Sequence, residues 1–416
     1  MKNNYYEFIN EDLICEEING LKTYIIPKKG FNQTFALISV RYGSNDSIFS
    51  NGTDEFKEYP LGIAHFLEHK LFEQKEGNIF EKFAAIGGSP NAYTNFKNTT
   101  YYFSCTDNFY ENLNLLINFV FNPYFTKENV EKEKDIIKQE IQMYEDNPAF
   151  KVYFNAMSAM YTNHPVRNDI AGTIESIYKI TPEMLYTCYN TFYIPENMVM
   201  IIVGDVDTDK IISLGNKLVP NNNDKIFFKR KDFNENKTVK QKYIESDLGL
   251  SIPNFIIGFK GDFQNNDNIL EKIVEFNIIN SLLFGGSSKI YEDLYTQGLI
   301  NNSFSSEYAI ETDYSHFIIH GESKSPQIIQ DFLLNNIQNA KINEIEFNRI
   351  KKMLTGQFLY KFNNVELLGN TFNDYILKNT LFYNYYDVLK KITVEDVENR
   401  INKMFNEENY TLSVIK

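Results

Sequence analysis

Residues 62–74 read GIAHFLEHKLFEQ. Ile63, Ala64, Phe66, Leu67, Leu71 and Phe72 cover most of a helix's circumference, so the stretch predicts a largely buried helix over residues 61–72, begun just after Pro60. His65, Glu68 and His69 fall at i, i+3 and i+4 and share one face of it. Only five histidines occur in the chain, and two of them stand here one turn apart. Three ionisable groups on an apolar helix are costly unless hydrogen bonds or a metal satisfy them. Two neutral imidazoles at this spacing can bind one Zn²⁺. The competing reading is a hydrogen-bonded His/Glu cluster in a core.

Two histidines make an incomplete catalytic zinc site, which usually takes three protein ligands, and His₂Glu is a common set. The charged helix beginning at Thr126 offers Glu131, Glu133, Glu140 and Glu145. Glu133 and Glu140 are seven apart and share a face, with Ile136 and Ile137 close by, which predicts that this face turns inward. On the residues alone, the third ligand is a carboxylate from this group.

The rest of the chain reads as a mixture of strands and helices. Apolar runs within residues 21–45 and 198–206 predict strands. Residues 78–86 predict a helix stopped by Gly87-Gly88, and residues 91–96 and 99–105 predict a hairpin turning at Lys97-Asn98. The polar, Asn/Lys-rich stretch from Pro220 to Lys242 divides the chain, with Lys229-Arg230-Lys231 read as solvated charges. The expected domains are therefore residues 1–220, a linker at 221–242, and residues 243–416. A faint repeat supports two related halves: the segment from Thr126 matches that from Asn343 in its apolar positions, at an offset of 217 residues (343 − 126). Under it, Glu140 falls on Gln357 and residues 65–69 fall on LLFGG at 282–286, so a site built on His65, His69 and Glu140 occurs once per chain.

The 416 residues carry 41 basic and 55 acidic side chains, a formal net charge of −14. That balance argues against nucleic acid or an anionic membrane as the main partner. Cys15, Cys105 and Cys188 are odd in number and far apart, imply no disulfide framework, and read as small hydrophobes. With no run of 18 apolar residues and no signal-like N-terminus, a cytoplasmic protein without membrane insertion is expected.

His-x-x-Glu-His is the inverted form of a metallopeptidase motif, and the chain resembles the pitrilysin/insulinase family, the inverzincins. The resemblance runs through GIAHFLEHKLFEQ, GGSPNAYTNFKNTTYYF (87–103), VEKEKDIIKQEIQMYEDNP (130–148), HPVRNDIAGTIESI (164–177) and FYIPENMVMIIVGDV (192–206). It implies an α+β fold of two homologous αβ domains, each a mostly antiparallel sheet with helices packed on it. It also implies one Zn²⁺ per chain on His65, His69 and Glu140, with Glu68 as general base and Glu133 as a supporting carboxylate. Asn91 and Ala92 match the edge strand on which relatives lay an extended peptide substrate. The implied activity is that of a zinc endopeptidase acting on peptides or unfolded segments within a chamber, in degradation or in precursor processing.

One part of the pattern is missing. Relatives place an Arg and a Tyr in a segment that aligns with KIYEDLYTQGLINNSF (289–304), where this chain has Leu294 and Asn301, and no Arg lies between Arg230 and Arg349. The expected assembly is therefore a zinc-bearing chain paired with a second family subunit that supplies the Arg/Tyr, or else a homodimer. The reading from a different class is a non-catalytic peptide-binding or assembly subunit. His164, before Pro165, reads as structural, and His316 and His320 lie on a predicted strand, where four residues span about 13 Å and share no metal.

Overall fold

Leu21–Pro27, Thr34–Val40 and Met198–Gly204 are strands because their β-branched and aromatic side chains suit a sheet buried on both faces. The structure, a computed structural model, describes residues 2–75, 77–221, 227–261 and 268–416. Its contacts divide the chain into two units. The first comprises Met1–Gln142, Asp169–Asp232 and Lys361–Leu377; the second comprises Met143–Asn168, Phe233–Tyr360 and Lys378–Lys416.

The first unit is built on a seven-stranded sheet, ordered Lys2–Tyr6, Glu11–Ile18, Leu21–Pro27, Met198–Gly204, Thr34–Val40, Thr99–Cys105, Ser89–Thr94. Every neighbouring pair is antiparallel except Leu21–Pro27 with Met198–Gly204. The second unit has a five-stranded sheet, ordered Tyr243–Ser246, Tyr410–Ile415, Asn254–Lys260, Ser315–Glu322, Ser305–Ile310. Its single parallel pair is Tyr243–Ser246 with Tyr410–Ile415. Five strands of the first sheet thus repeat in the second with the same order and directions, which is the duplication that the 217-residue echo predicted. The echo's own helices are Lys127–Glu145 and Glu344–Tyr360.

The units are not the continuous halves expected from the sequence. The helix Pro148–Met160 belongs to the second unit, where Ser413 Oγ donates to the Val152 carbonyl at 3.0 Å. The helix Val365–Leu377 belongs to the first, where Gly369 lies so close to Phe35 that a Cβ would stand 2.5 Å from its ring. A composition shift marks where the chain crosses over, but it carries no information on which sheet a helix covers. Lys229, Arg230 and Lys231 are exposed, as read from the sequence, but part of the expected linker is ordered as a strand. Residues 222–226 lie outside the described residues, but Phe228–Arg230 is a short strand paired with Ile48–Asn51. Arg230 bonds Asp46 at 2.7 Å and stacks over Phe228 and Phe192, and Lys229 bonds Asp54 at 2.6 Å.

The predicted helix at 61–72 is Ile63–Leu71, two residues late at its start because Gly62 adopts φ +86° and caps it. That glycine is needed for space as well as conformation. A Cβ there would stand 2.2 Å from the Ala171 carbonyl oxygen, and one on Gly172 would stand 2.4 Å from that of Leu61. The two glycines let the backbone entering the helix touch the loop at 171–172. The other expected elements appear as the helix Ile79–Ala85 and the hairpin Ser89–Thr94/Thr99–Cys105.

Cys105 and Cys188 are buried and Cys15 is half-buried, all three free. His164 is buried, its Nδ1 accepting from the Val166 N–H at 3.2 Å, and His316 and His320 lie on the strand Ser315–Glu322 as expected. Among the described residues, no helix is long and apolar enough to cross a membrane.

Candidate metal centre

The helix Ile63–Leu71 buries Ile63, Ala64, Phe66, Leu67 and Leu71 to 2 % exposure or less. That apolar wrap leaves His65, Glu68 and His69 on the remaining face, with the two imidazole rings 4.5 Å apart. Facing them is the helix Lys127–Glu145, whose buried Val130, Glu133, Ile137 and Ile141 form a stripe at helical spacing. Glu140, seven residues beyond Glu133, continues along that side and is half-exposed. Ile136 departs from expectation: it is 46 % exposed, while its neighbour Ile137 is fully buried.

Glu140 Oε1 lies 3.7 Å from His65 Nε2, and Oε2 lies 3.6 Å from His69 Nε2. Both separations are too long for hydrogen bonds. Atoms bonded to one tetrahedral zinc at about 2.0–2.1 Å stand roughly 3.3 Å apart. One donor atom from each of His65, His69 and Glu140 falls within 4.8 Å of the others. The set therefore fits a single small cation once its donors draw together around it, and His₂Glu suits zinc better than a harder ion. A second observation agrees: His65 is half-buried and its buried Nδ1 has no hydrogen-bond partner among the described residues, so its ring is unsatisfied on both sides unless something binds Nε2.

The surrounding groups set the protonation states. Burial, helped by the neighbouring His69, pushes His65 down to about 3, which keeps its imidazole neutral. Burial also works to lower His69, but the hydrogen bond with Glu133 and the charges of Glu68, Glu133 and Glu140 outweigh it and raise its pKa. Glu133 Oε1 lies 3.0 Å from His69 Nδ1, which directs Nε2 toward Glu140. The other oxygen of Glu133 takes Lys70 Nζ at 3.3 Å, and Lys70 also bonds Glu73. Burial tends to raise Glu133, yet His69 and Lys70 together hold it below its ordinary value.

Glu68 is 8 % exposed, and its Oε2 accepts from Thr94 Oγ1 at 2.7 Å. Burial raises its pKa against the opposing effects of Thr94 and His69. A buried carboxyl with a raised pKa beside a metal set is the environment of a general base.

Asn91 and Ala92 lie on Ser89–Thr94, the outer strand of its sheet, which among the described residues pairs with Thr99–Cys105 alone. Together with Glu68, His69 and Glu133 they line a cleft of about 700 Å³, whose apolar wall includes Phe72, Phe80, Tyr124 and Ile136. The Ala92 N–H is donated to Asn91 Oδ1 at 2.8 Å. All seven residues singled out from the sequence are thus gathered in the first unit, around one cleft and one helix pair.

Sequence reasoning missed Lys70, Thr94 and Asp169. Lys70 is fully buried, and a charged residue next to His69 on an otherwise apolar helix was the available signal. Thr94 could have been found by alternation, since it shares a strand face with Ala92. Asp169 is pushed up to about 6, by burial first and by the charge of Glu140, against a bond from the Ala171 N–H; nothing local in the sequence marks it. In the second unit, Leu294 is fully buried, and Asn301 is exposed and donates to Glu322 at 3.2 Å.

Comparison with known proteins agrees with this architecture. Residues 52–174 match the insulinase family (peptidase family M16), and residues 179–354 match the M16 inactive domain. A Bacillus subtilis protein named as the uncharacterized zinc protease YmfH is 42 % identical over 408 residues, covering 96 % of this chain and 95 % of that protein. An uncharacterized zinc protease of Rickettsia felis is 27 % identical over 376 residues, covering 83 % and 85 %. A crystal structure described as M16-like, from Alicyclobacillus acidocaldarius, superposes with a TM-score of 0.92 at 34 % identity over 97 % of this chain and 98 % of that one. A Helicobacter pylori protease shares the fold, with a TM-score of 0.85 at 20 % identity over 97 % and 99 %. Two related αβ domains with relatives named as zinc proteases define a metallopeptidase class. The chain belongs to the insulinase family of peptidases, M16.

Proposed function

We propose that the protein is a zinc-dependent endopeptidase that cleaves peptides or unfolded protein segments, with one Zn²⁺ held by His65, His69 and Glu140. The observation that carries this reading is the approach of both imidazole Nε2 atoms to Glu140, beside a buried carboxylate that is not part of the ligand set. A zinc ion bound there would acidify a water molecule and polarise the scissile carbonyl. The remaining steps belong to the chain. Glu68 takes the proton of the attacking water and later passes it to the leaving amine. Glu133 accepts from His69 Nδ1 and so keeps the Nε2 lone pair aimed at the metal. The edge strand at Asn91 and Ala92 receives the substrate as an added strand, which positions the scissile bond beside Glu68 and requires Ala92 to exchange its bond with Asn91 Oδ1 for one to the peptide.

Leu294 and Asn301 supply neither a guanidinium nor a phenol. We therefore assign this chain the zinc-bearing role in a two-chain assembly, in which a second subunit completes the electrophilic side and the pair encloses a chamber for cytoplasmic peptide processing.

The test is cleavage of a mixed set of quenched fluorescent peptides by the chain, with and without the candidate partner subunit, against Glu68→Gln prepared identically. The expected result is cleavage that falls by at least about 10²-fold in Glu68→Gln while zinc stays bound. Equal cleavage by both proteins would refute the assignment of the base.

A further inference from the structure

A carboxylate has two oxygens, and among the described residues a hydrogen bond ties down one of those of Glu68, Oε2. Thr94 Oγ1 approaches Glu68 Oε2 at 2.7 Å. An ionised carboxylate only accepts, so the proton in that bond is the threonine's. A hydroxyl has a single proton, and its other neighbour, Thr99 Oγ1, is farther away at 3.3 Å and spends its own proton on the Tyr42 carbonyl at 3.0 Å. The shorter, charge-assisted contact prevails.

Thr94 is itself held firmly. It ends the strand Ser89–Thr94 opposite Thr99, and the turn that follows is closed by Asn95 N–H to the Asn98 carbonyl at 2.9 Å. Asn95 Oδ1 accepts from the N–H groups of Lys97 and Asn98, both at 2.8 Å. A β-branched side chain adds little rotamer freedom of its own. Thr94 and Ala92 are two residues apart and point to the same face, so the strand offered to a peptide also carries the hydroxyl that holds the carboxylate.

We propose that Thr94 is a positioning residue whose hydroxyl fixes Glu68 Oε2, leaving Oε1 as the oxygen that exchanges the proton, and that it ties this carboxylate to the substrate strand. The proton balance is simple. An O–H bond of the attacking water breaks as one forms at Oε1, that proton moves on to the leaving nitrogen, and Thr94 keeps its own proton throughout. The proposal rests on the reading of Glu68 as the base.

Two variants of the full chain, Thr94→Val and Thr94→Ser, test it. Thr94→Val keeps the shape and removes the donor, and is expected to lower kcat roughly ten- to a hundredfold with KM nearly unchanged. Zinc affinity, read by competition with a chromophoric chelator, should stay the same, and Thr94→Ser should restore most of kcat. Independently of activity, Thr94→Val and Glu68→Met should be coupled in a double-mutant cycle of thermal unfolding. An unchanged kcat in Thr94→Val, a loss that Thr94→Ser shares fully, or an absence of coupling would each overturn the proposal. A wild-type chain that cleaves nothing even with the partner subunit present sinks the peptidase reading; the unfolding cycle still decides whether Thr94 holds Glu68.

Discussion

At the scale of single residues, the site depends on carboxylates held by fixed neighbours. Glu133 is shared between His69 and Lys70, so the buried cation anchors the carboxylate that orients the imidazole. Replacing Glu133 with Gln keeps an acceptor for His69 but puts an amide where Lys70 now finds a charge. Removing such an outer partner of a metal ligand typically costs about 10–100-fold in metal affinity. Glu133→Gln should therefore weaken zinc binding by about tenfold or more in a chelator competition, with the fold retained in circular dichroism; unchanged affinity would leave Glu133 a merely packed residue. The shared face of His65, Glu68 and His69 was legible because their i, i+3, i+4 spacing needs only helix geometry. Lys70 and Thr94 were not legible, because their roles depend on contacts that cross from one element to another.

At the scale of elements, a pattern along one element survived and a pattern between elements did not. The outer strand and its hairpin were readable from turn residues, and the inward face of Lys127–Glu145 from Glu133 and Glu140. Ile136 was misassigned because two adjacent apolar residues on a helix lie 100° apart, and only one of them meets the core. The start of Ile63–Leu71 was shifted by the Gly62–Gly172 approach, which no local propensity encodes.

In the second unit, one buried network makes a pH prediction. Burial works to raise Glu235, but Lys260 and the backbone N–H groups of Thr162, Asn163 and His164 outweigh it and hold the carboxyl at about 2. Burial, with the neighbouring His164, lowers His316 to about 3. Both folded values lie below the ordinary values of 4.5 and 6.5, so below those values the unfolded chain binds more protons than the folded one. Stability should fall first between pH 6.5 and 3 through His316, then between 4.5 and 2 through Glu235. Thermal melts of His316→Gln should lack the first decline and those of Glu235→Gln the second; variants with the wild-type slope would contradict the prediction.

At the scale of the whole molecule, the duplication was legible and its division was not. One helix of matched pattern at an offset of 217 residues pointed to two related domains, and the repeated strand order bears this out. The cut at 220–243 nevertheless fails to isolate the first unit, because residues 361–377 complete it. Asn373 Nδ2 reaches Ser39 Oγ at 3.4 Å, and Gly369 packs against Phe35. Residues 1–220 produced alone should therefore bind a hydrophobic dye and melt without a sharp transition, and residues 221–416 added in trans should restore a sharp one. A cooperative melt of residues 1–220 at the full-chain temperature would contradict this division.

The proposed chemistry depends on one metal centre, and zinc K-edge X-ray absorption of the zinc-loaded chain reads that centre's ligands. The expected spectrum shows one zinc per chain with only nitrogen and oxygen neighbours at about 2.0–2.1 Å, two of them imidazoles, and that signature is lost in His65→Ala and Glu140→Ala. Sulfur scattering at about 2.3 Å, or an unchanged spectrum in those variants, would place the metal elsewhere and contradict the assignment.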